Sequence, residues 1–122
     1  MVAIVLYKPK IPPNTGNIMR LCANNGFSLH LIEPLGFSLS DKLLKRAKMD
    51  YHTNIEPIIY KSFSNFLKKY DKQNLSFISK YGKKKYSDVK FNEKSVIIFG
   101  SETTGISESI KKRFSNNLYY IP

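Results

Sequence analysis

Two almost uninterrupted apolar segments constrain the fold of this chain more than any other feature. Residues 2–7 (VAIVLY) and 95–99 (SVIIF) are rich in β-branched and aliphatic side chains. Strands of this composition are typically buried on both faces, as in a parallel sheet that helices cover on both sides. The sequence therefore predicts an α/β fold with a mainly parallel sheet flanked by helices.

Further strands and helices alternate between and around these segments. Ser40 and Ser62 each precede a helical pattern as predicted N-caps. Ligands of parallel sheets bind at the carboxyl ends of strands, which makes loops 8–17 and 100–105 candidate sites. The predicted strands span residues 2–7, 28–32, 55–60, 75–79, 95–99 and 118–121, and the predicted helices span residues 16–25, 41–48, 63–69 and 106–114.

The charge of the chain predicts the kind of partner. The 122 residues include 20 Lys and Arg against 9 Asp and Glu, a net charge of +11. Residues 61–122 hold 13 basic and 5 acidic side chains, whereas residues 1–60 hold 7 and 4. This excess favours an anionic partner, with nucleic acid ahead of a membrane surface. The length fits one domain, residues 1–122.

The single cysteine excludes an intrachain disulfide and thiolate zinc sites. Cys22 shares the apolar face of the first predicted helix with Ile18, Leu21 and Asn25, so it is predicted to lie in the core. Residues 2–7 lack a basic leader and a cleavage site, which favours a strand over a signal peptide. No apolar stretch approaches the ~20 residues that span a bilayer. We therefore expect a cytoplasmic protein with no membrane partner.

The loop before the first helix is one candidate site. Residues 13–20 (PNTGNIMR) can form a simple cap, with Asn14 or Thr15 as N-cap and Arg20 on a solvated face. Alternatively, the free N–H groups at the helix start bind an anion, and Arg20 adds a bidentate contact to phosphate or ribose. Asn14 and Asn17 then supply donors and acceptors for a sugar. The residues alone leave both alternatives open.

The loop after residues 95–99 is the second candidate site. Residues 99–106 (FGSETTGI) have a strand–glycine–loop–glycine–helix arrangement, but Ile106 and Ser107 replace the Lys-Ser/Thr of a nucleoside-triphosphate loop. The dinucleotide pattern G-x-G-x-x-G is also absent. Glu102 favours a neutral or cationic ligand, or one with hydroxyl donors, and glycine lets the backbone approach a flat ligand closely. The alternative is a structural turn with Glu102 near a helix start.

Other polar residues carry weaker signals. His30 and His52 have no metal-ligand partner at a suitable spacing, so no metal site is predicted. The basic run at residues 83–85 is either a solvated loop or a patch that contacts phosphates. Tyr81 and Tyr86, which flank this run, offer stacking surfaces for bases and favour the second alternative.

Together these segments resemble the TrmL/YibK group of the SPOUT (TrmH-like) methyltransferases. Residues 6–37 (LYKPKIPPNTGNIMRLCANNGFSLHLIEPLGF) carry most of the resemblance, and residues 50–52 (DYH) and 97–106 (IIFGSETTGI) match in order and spacing. The resemblance implies a SPOUT-type fold with a C-terminal trefoil knot and an active homodimer. It also implies 2′-O-methylation of the ribose of the wobble nucleotide (cytidine or uridine 34) of tRNA. S-adenosyl-L-methionine is the implied methyl donor and S-adenosyl-L-homocysteine the product.

The resemblance also assigns residues to roles. Asn14 and Arg20 are the catalytic candidates. Since arginine is a poor general base at its ordinary pKa, we expect Arg20 to orient the ribose hydroxyl and lower its pKa, with the proton passing to phosphate. The expected cofactor contacts are Ile78, Gly100, Glu102, Gly105 and Ile121. The positive charge of the chain, and not the resemblance, gives the expected contacts to the RNA, here the anticodon stem-loop: Lys8, Lys10, Arg46, Lys83, Lys84 and Lys85.

The chain departs from the family pattern in two places. Thr104 stands where the family usually has Arg, which affects an expected substrate or interface contact. The family continues beyond the position of Pro122 with a Ser- and Asn-rich motif and a final helix. We therefore expect the chain to lack the knot-forming segment. Two alternatives to an active enzyme follow: an RNA-binding relative without catalysis, and an assembly protein on the ribosome or another RNA.

Overall fold

The computed structural model describes residues 2–38, 42, 45, 56–70, 72–79, 82, 84–86 and 92–121. Within these ranges, seven parallel strands form one sheet in the order β3-β2-β1-β6-β4-β7-β5. The strands are β1 (Ala3–Tyr7), β2 (Ser28–Ile32), β3 (Ile58–Tyr60), β4 (Leu75–Ile78), β5 (Lys84–Lys85), β6 (Val96–Phe99) and β7 (Leu118–Tyr120). The helices are α1 (Pro12–Asn25), α2 (Phe63–Leu67) and α3 (Glu108–Arg113), with 3-10 turns at Lys72–Asn74 and Ser115–Asn117. The predicted α/β fold with a parallel sheet is confirmed.

The sheet separates two apolar clusters, and β1 contributes to both. Val5 belongs to the cluster under α2 and α3, whereas Ile4 and Leu6 belong to the cluster under α1. Successive side chains of a strand point to opposite faces, so a strand between two helical layers needs apolar residues at every position. All five residues of β1 are accordingly buried. Phe66 and Phe77 are fully buried in the first cluster.

Helix α1 begins earlier than the sequence predicts, and the predicted caps Asn14 and Thr15 are wrong. Both residues lie in the first turn, and their N–H groups donate to the carbonyl of Ile11 at 3.1 and 3.3 Å. The helix starts at Pro12, since the N–H of the first helical residue has no partner within the helix and proline lacks this N–H. The φ angle of proline also already suits a helix. Ile11 occupies the N-cap position without a side-chain cap.

The buried face of α1 also differs from the prediction. It consists of Thr15, Gly16, Met19 and Cys22. Leu21 is instead 47% exposed. The error arises because the predicted helix starts too late, at Gly16. Thr15 is therefore missing from the apolar face that the helical spacing predicts. Cys22 is fully buried as predicted, and burial raises the pKa of its thiol to about 11.

The sequence predicts no strand at β5. Lys84 and Lys85 are exposed, yet they pair with Tyr119 and Tyr120 at the edge of the sheet. The pairing depends on Gly82, where a Cβ atom would lie 2.5 Å from the backbone of Tyr119. A two-residue edge strand has no buried face, so it leaves no apolar pattern in the sequence.

The other predicted strands and helices that the structure describes begin and end within a few residues of their predicted bounds. Ser62 caps α2 as predicted, since its side chain accepts from the N–H of Asn65 at 3.1 Å. Of the predicted helix 41–48, Lys42 and Lys45 are described, and both are helical. Several predicted residues lie outside the described ranges: Ser40, Arg46, the stretch 50–52 with His52, Ile55, Tyr81, Lys83 and Pro122.

Candidate active site

The topology places the two candidate loops side by side. From β1 the sheet extends in one direction to β2 and β3, and in the other to β6, β4, β7 and β5. Strands β1 and β6 are neighbours, so the loops that follow Tyr7 and Phe99 both leave the carboxyl edge at the point where the strand order reverses. This crevice is where open α/β sheets bind ligands.

Glu102 connects the two loops directly. Its Oε2 accepts hydrogen bonds from the backbone N–H groups of Lys10, at 3.0 Å, and Ile11, at 2.6 Å. Pro12 and Pro13 have no N–H, and the next two N–H groups of α1 are bonded to Ile11. The alternative in which free N–H groups at the start of α1 bind an external anion is therefore wrong. A carboxylate of the chain itself already takes the place of that anion.

The loop after β6 closes on itself as a tight turn. Ser101 and Gly105 exchange two backbone hydrogen bonds, of 3.1 and 2.9 Å. Gly105 has a φ of 67°, in the left-handed region that favours glycine. A Cβ atom on Gly100 would lie 2.7 Å from the carbonyl carbon of Gly105. The glycines are therefore needed for the loop's own closure, rather than only for the approach of a ligand.

A cleft of about 740 Å³ lies against this loop. It is lined by four of the five predicted cofactor residues, Ile78, Gly100, Glu102 and Gly105. The fifth, Ile121, is 58% exposed beyond β7 and is not part of the lining. Of the other polar lining residues, Ser101, Thr103 and Thr104 belong to the candidate loop and Ser107 follows it closely. Sequence reasoning missed Ser79, Glu108 and Lys111, because only the folded sheet and α3 bring them to this cleft.

The lining has a mixed chemical character. Phe99 and Ile106 add apolar surface, and the serine and threonine hydroxyls can donate to or accept from a sugar. Glu108 forms a 2.8 Å salt bridge with Lys111 on α3, and this hydrogen-bonded lysine lowers the pKa of the carboxyl. Such a cleft suits a nucleoside-like ligand that carries a positive charge.

The catalytic candidates Asn14 and Arg20 do not line this cleft. Asn14 is exposed in the first turn of α1. Arg20 lies on the third turn, roughly 12 Å along the axis from Pro12. Its Nη2 donates to Oδ1 of Asn17 at 2.9 Å. Sequence reasoning considered Asn17 only as a sugar contact, although its i, i+3 spacing from Arg20 predicts such a contact.

Of the six predicted RNA contacts, the four that the structure describes lie at two separate places on the sheet. Lys8 and Lys10 follow β1 at the centre of the carboxyl edge, whereas Lys84 and Lys85 form β5 at the edge of the sheet. All four are at least partly exposed.

His30 is a buried structural residue. Its ring nitrogens contact Ser28 Oγ at 2.9 Å and Tyr60 Oη at 3.1 Å, and Tyr70 Oη lies 3.1 Å from Nε2. Burial raises the pKa of Tyr60, so its hydroxyl stays protonated and can donate to the imidazole. Burial and nearby Lys69 lower the pKa of His30.

In the described part of the chain, no group of three or more His, Cys, Asp or Glu side chains is arranged so that it could hold a metal ion. Among the same residues, no helix has the length and apolar character needed to cross a membrane.

The whole chain, residues 1–122, matches the SpoU rRNA Methylase family. A tRNA (cytidine(34)-2′-O)-methyltransferase of Methylovorus glucosotrophus is 44% identical over 115 residues, which cover 94% of this chain and 75% of that protein. A solved structure described as giving insights into the 2-OH methylation of C/U34 on tRNA superposes with a TM-score of 0.89. It is 37% identical and covers 100% of this chain and 80% of that one.

A more distant structure shows the fold alone. It is an AdoMet-bound rRNA methyltransferase from Sinorhizobium meliloti, 20% identical, with a TM-score of 0.82 over 99% of this chain and 47% of that one. The family match over the full length, the close relatives and the cleft at the switch point agree with one another. The chain therefore belongs to the SpoU methylase family, as its resemblance to the TrmL/YibK group implies.

Proposed function

We propose that this chain is a tRNA methyltransferase that methylates the ribose 2′-hydroxyl of the wobble nucleotide, cytidine or uridine 34. The observation that carries the proposal is the cleft at the switch point, where Ile78, Gly100, Glu102 and Gly105 meet. Relatives named tRNA (cytidine(34)-2′-O)-methyltransferase are 44% and 46% identical to the chain over 115 and 110 aligned residues.

The cleft fits S-adenosylmethionine in size and chemistry. Its volume of about 740 Å³ lies within the range of ~300–1,000 Å³ that is typical of small-ligand sites. Ile78 and Phe99 offer apolar contacts to a base, and Ser79 and Ser101 offer hydroxyls to a ribose. The charge of Glu102 at the rim favours a sulfonium, even though its Oε2 is engaged by backbone N–H groups. When bound, the cofactor supplies an electrophilic methyl group.

Arg20 is the proposed catalytic residue. Methyl transfer to a hydroxyl needs a positioned acceptor oxygen and a path for its proton. A guanidinium stays charged, so it stabilises the developing alkoxide and orients a phosphate that accepts the proton. Asn17 is a positioning residue, because its amide oxygen accepts from the guanidinium at 2.9 Å.

A second copy of the chain would bring Arg20 to a cofactor cleft. Arg20 does not line the cleft of its own chain. The neighbouring Leu21 is 47% exposed on the same helix. We therefore propose a homodimer in which Arg20 of one subunit serves the cleft of the other. Mixing Arg20→Lys with Gly100→Ala protein should then restore part of the activity, since one of the two sites regains both residues. No restoration in a verified heterodimer would contradict this arrangement.

The activity is tested with radiolabelled S-adenosylmethionine and unmodified tRNA, followed by mass spectrometry of nuclease fragments. The expected product carries one methyl group on ribose 34, and a tRNA with 2′-deoxyribose at position 34 should accept none. Arg20→Lys should lower kcat at least tenfold and leave cofactor affinity unchanged, whereas Asn24→Ala, on the same helix, should have no effect. Methylation elsewhere, or none at all, would overturn the proposal.

Calorimetry separates the enzyme from a non-catalytic RNA-binding relative. An enzyme should give heat on titration with S-adenosylmethionine, whereas a relative that only binds RNA should give none at millimolar cofactor. The anticodon stem-loop as the contact region and the cytoplasmic location stay predictions.

A further inference from the structure

A second cleft, of about 450 Å³, opens beside the cofactor cleft and is distinct from it. The two share one lining residue, Ser107. Lys8, Glu33 and Lys61 line the second cleft, and each follows directly after β1, β2 or β3 at the carboxyl edge of the sheet. Arg113 reaches it from the last turn of α3. Three cations from three different elements thus surround one opening.

The other lining residues suit an anionic ligand as well. Serine hydroxyls at the starts of α2 and α3 line the cleft and can donate hydrogen bonds to phosphate oxygens. Glu33 is the one carboxylate in the described lining, so three positive charges face a single negative one. Tyr7 and Phe63, which meet edge-to-face with ring centroids 6.1 Å apart, form the apolar part of the wall.

The backbone at Lys8 supports a role for its side chain. Lys8 has a φ of 50°, the one non-glycine residue with positive φ in the described ranges. This conformation is unfavourable for a residue with a Cβ atom, whereas glycine adopts it without strain. The N–H of Lys8 donates to the carbonyl of Ile32 at 3.0 Å, which ties this conformation to the end of the β1–β2 pair.

We propose that this second cleft binds backbone phosphates of the RNA substrate beside the nucleotide that is methylated. The inference depends on the proposed function and extends it, because Lys61 and Arg113 are not among the RNA contacts that the sequence predicts. An extended polyanion fits better than a small anion, because the cations come from separate strand and helix ends around an open cleft. Because Ser107 lines both clefts, an RNA strand bound in the second cleft can continue directly into the cofactor cleft.

The test measures binding of an anticodon stem-loop RNA by fluorescence anisotropy at several salt concentrations. Lys61→Gln and Arg113→Gln should each weaken binding several-fold. Each should also lower the slope of log affinity against log salt by about 0.7, the value for one lost phosphate contact on a single strand. Glu33→Gln should have the opposite effect and strengthen RNA binding. A purely structural role of these residues would not produce this increase in affinity.

Matched controls separate the cleft from general surface charge. Lys112→Gln, next to Arg113 on α3, and Lys68→Gln, just after α2, remove exposed charges that do not line the cleft. Both should keep the wild-type slope. Lys8→Gly should weaken RNA binding without lowering Tm, because it removes the charge and relieves the backbone. Equal effects of cleft and control variants, or unchanged affinity in the cleft variants, would overturn the inference.

Two further measurements keep this inference separate from the proposed function. The cleft variants should retain wild-type affinity for S-adenosylmethionine, since their side chains do not line the cofactor cleft. If wild-type protein methylates ribose 34 while the cleft variants bind RNA normally, the cleft inference fails and the proposed function stands. Competition by millimolar inorganic phosphate that is as strong as competition by RNA at equal phosphate concentration would show a small-anion site and would also overturn the inference.

Discussion

Glu102 and Ile11 lie 91 positions apart in the chain, yet the carboxylate of one accepts the N–H of the other at 2.6 Å. The same oxygen also accepts from Lys10. A carboxylate near the start of a helix is stabilised by the helix dipole. Here it also accepts hydrogen bonds from the N–H groups of Lys10 and Ile11, just before the helix begins. At the scale of the single residue, Glu102 therefore holds the first motif against the second.

Removing the Glu102 carboxylate should make local opening of the segment before α1 more frequent. We expect Glu102→Ala to lower the free energy of unfolding by about 1 kcal/mol, since both hydrogen bonds are charge-assisted but solvent-exposed. Hydrogen exchange should speed up at the amides of Lys10 and Ile11. Glu93→Ala, which removes an exposed carboxylate from the turn before β6, is the control. Unchanged exchange at both amides would contradict the assigned role of Glu102.

His30 makes stability depend on pH. Burial and Lys69 lower its pKa in the folded state below the ordinary value of 6.5. The unfolded chain therefore binds the proton more readily as pH falls below about 6.5, and stability decreases there. The contribution is fully present above that pH. We expect Tm to fall on acidification from pH 7.5 to 5.5, with a smaller fall in His30→Gln.

The chain has one other histidine, which provides the control for this pH effect. His52→Gln should keep the wild-type dependence of Tm on pH between 7.5 and 5.5. If the dependence disappears in His52→Gln and persists in His30→Gln, then the assignment to His30 is wrong.

At the scale of the element, the loop after β6 depends on its two glycines in different ways. Gly105 needs glycine for its left-handed backbone, whereas Gly100 needs it because the loop folds back within contact distance. The sequence shows both glycines but cannot distinguish these reasons. The distinction matters because a change at Gly100 must displace the loop that lines the cofactor cleft.

Gly100→Ala should therefore impair cofactor binding more than folding. A Cβ atom 2.7 Å from the carbonyl carbon of Gly105 cannot be accommodated without moving that backbone. We expect affinity for S-adenosylmethionine to fall at least tenfold by calorimetry. Gly26→Ala is the control, because Gly26 ends α1 with a φ of 68° and has open space around it. It should cost about 1 kcal/mol of stability and leave cofactor affinity intact. Equal cofactor affinity in both variants would refute this reasoning.

At the scale of the whole molecule, the cofactor cleft joins parts of the sheet that are distant in sequence. Ile78 ends β4 and Phe99 ends β6, while Glu102 connects the same loop to the segment after β1. A ligand in this cleft contacts the folded arrangement and not the unfolded chain. Binding should therefore stabilise the domain as a unit.

We expect S-adenosylmethionine at one hundred times its Kd to stabilise the chain by about 2.7 kcal/mol. For a domain of this size, that corresponds to a rise in Tm of roughly 10 °C. Differential scanning calorimetry in the presence and absence of cofactor measures the shift. His30→Gln should show the full rise, whereas Gly100→Ala, with cofactor affinity at least tenfold lower, should show at most about half of it at the same concentration. A rise of equal size in Gly100→Ala would place the cofactor elsewhere.

The sequence by itself determined the parallel α/β fold, the buried cysteine, and the two motifs that contain Arg20 and Glu102. Apolar runs and glycine positions report local burial and backbone freedom, which are properties of short segments. Strand β5 and the partners of Glu102 depended on tertiary structure, because each is decided by contacts between residues far apart in the chain. The cleft of Lys8, Lys61 and Arg113 has the same origin, since only the packed sheet brings three separate strand and helix ends around one opening.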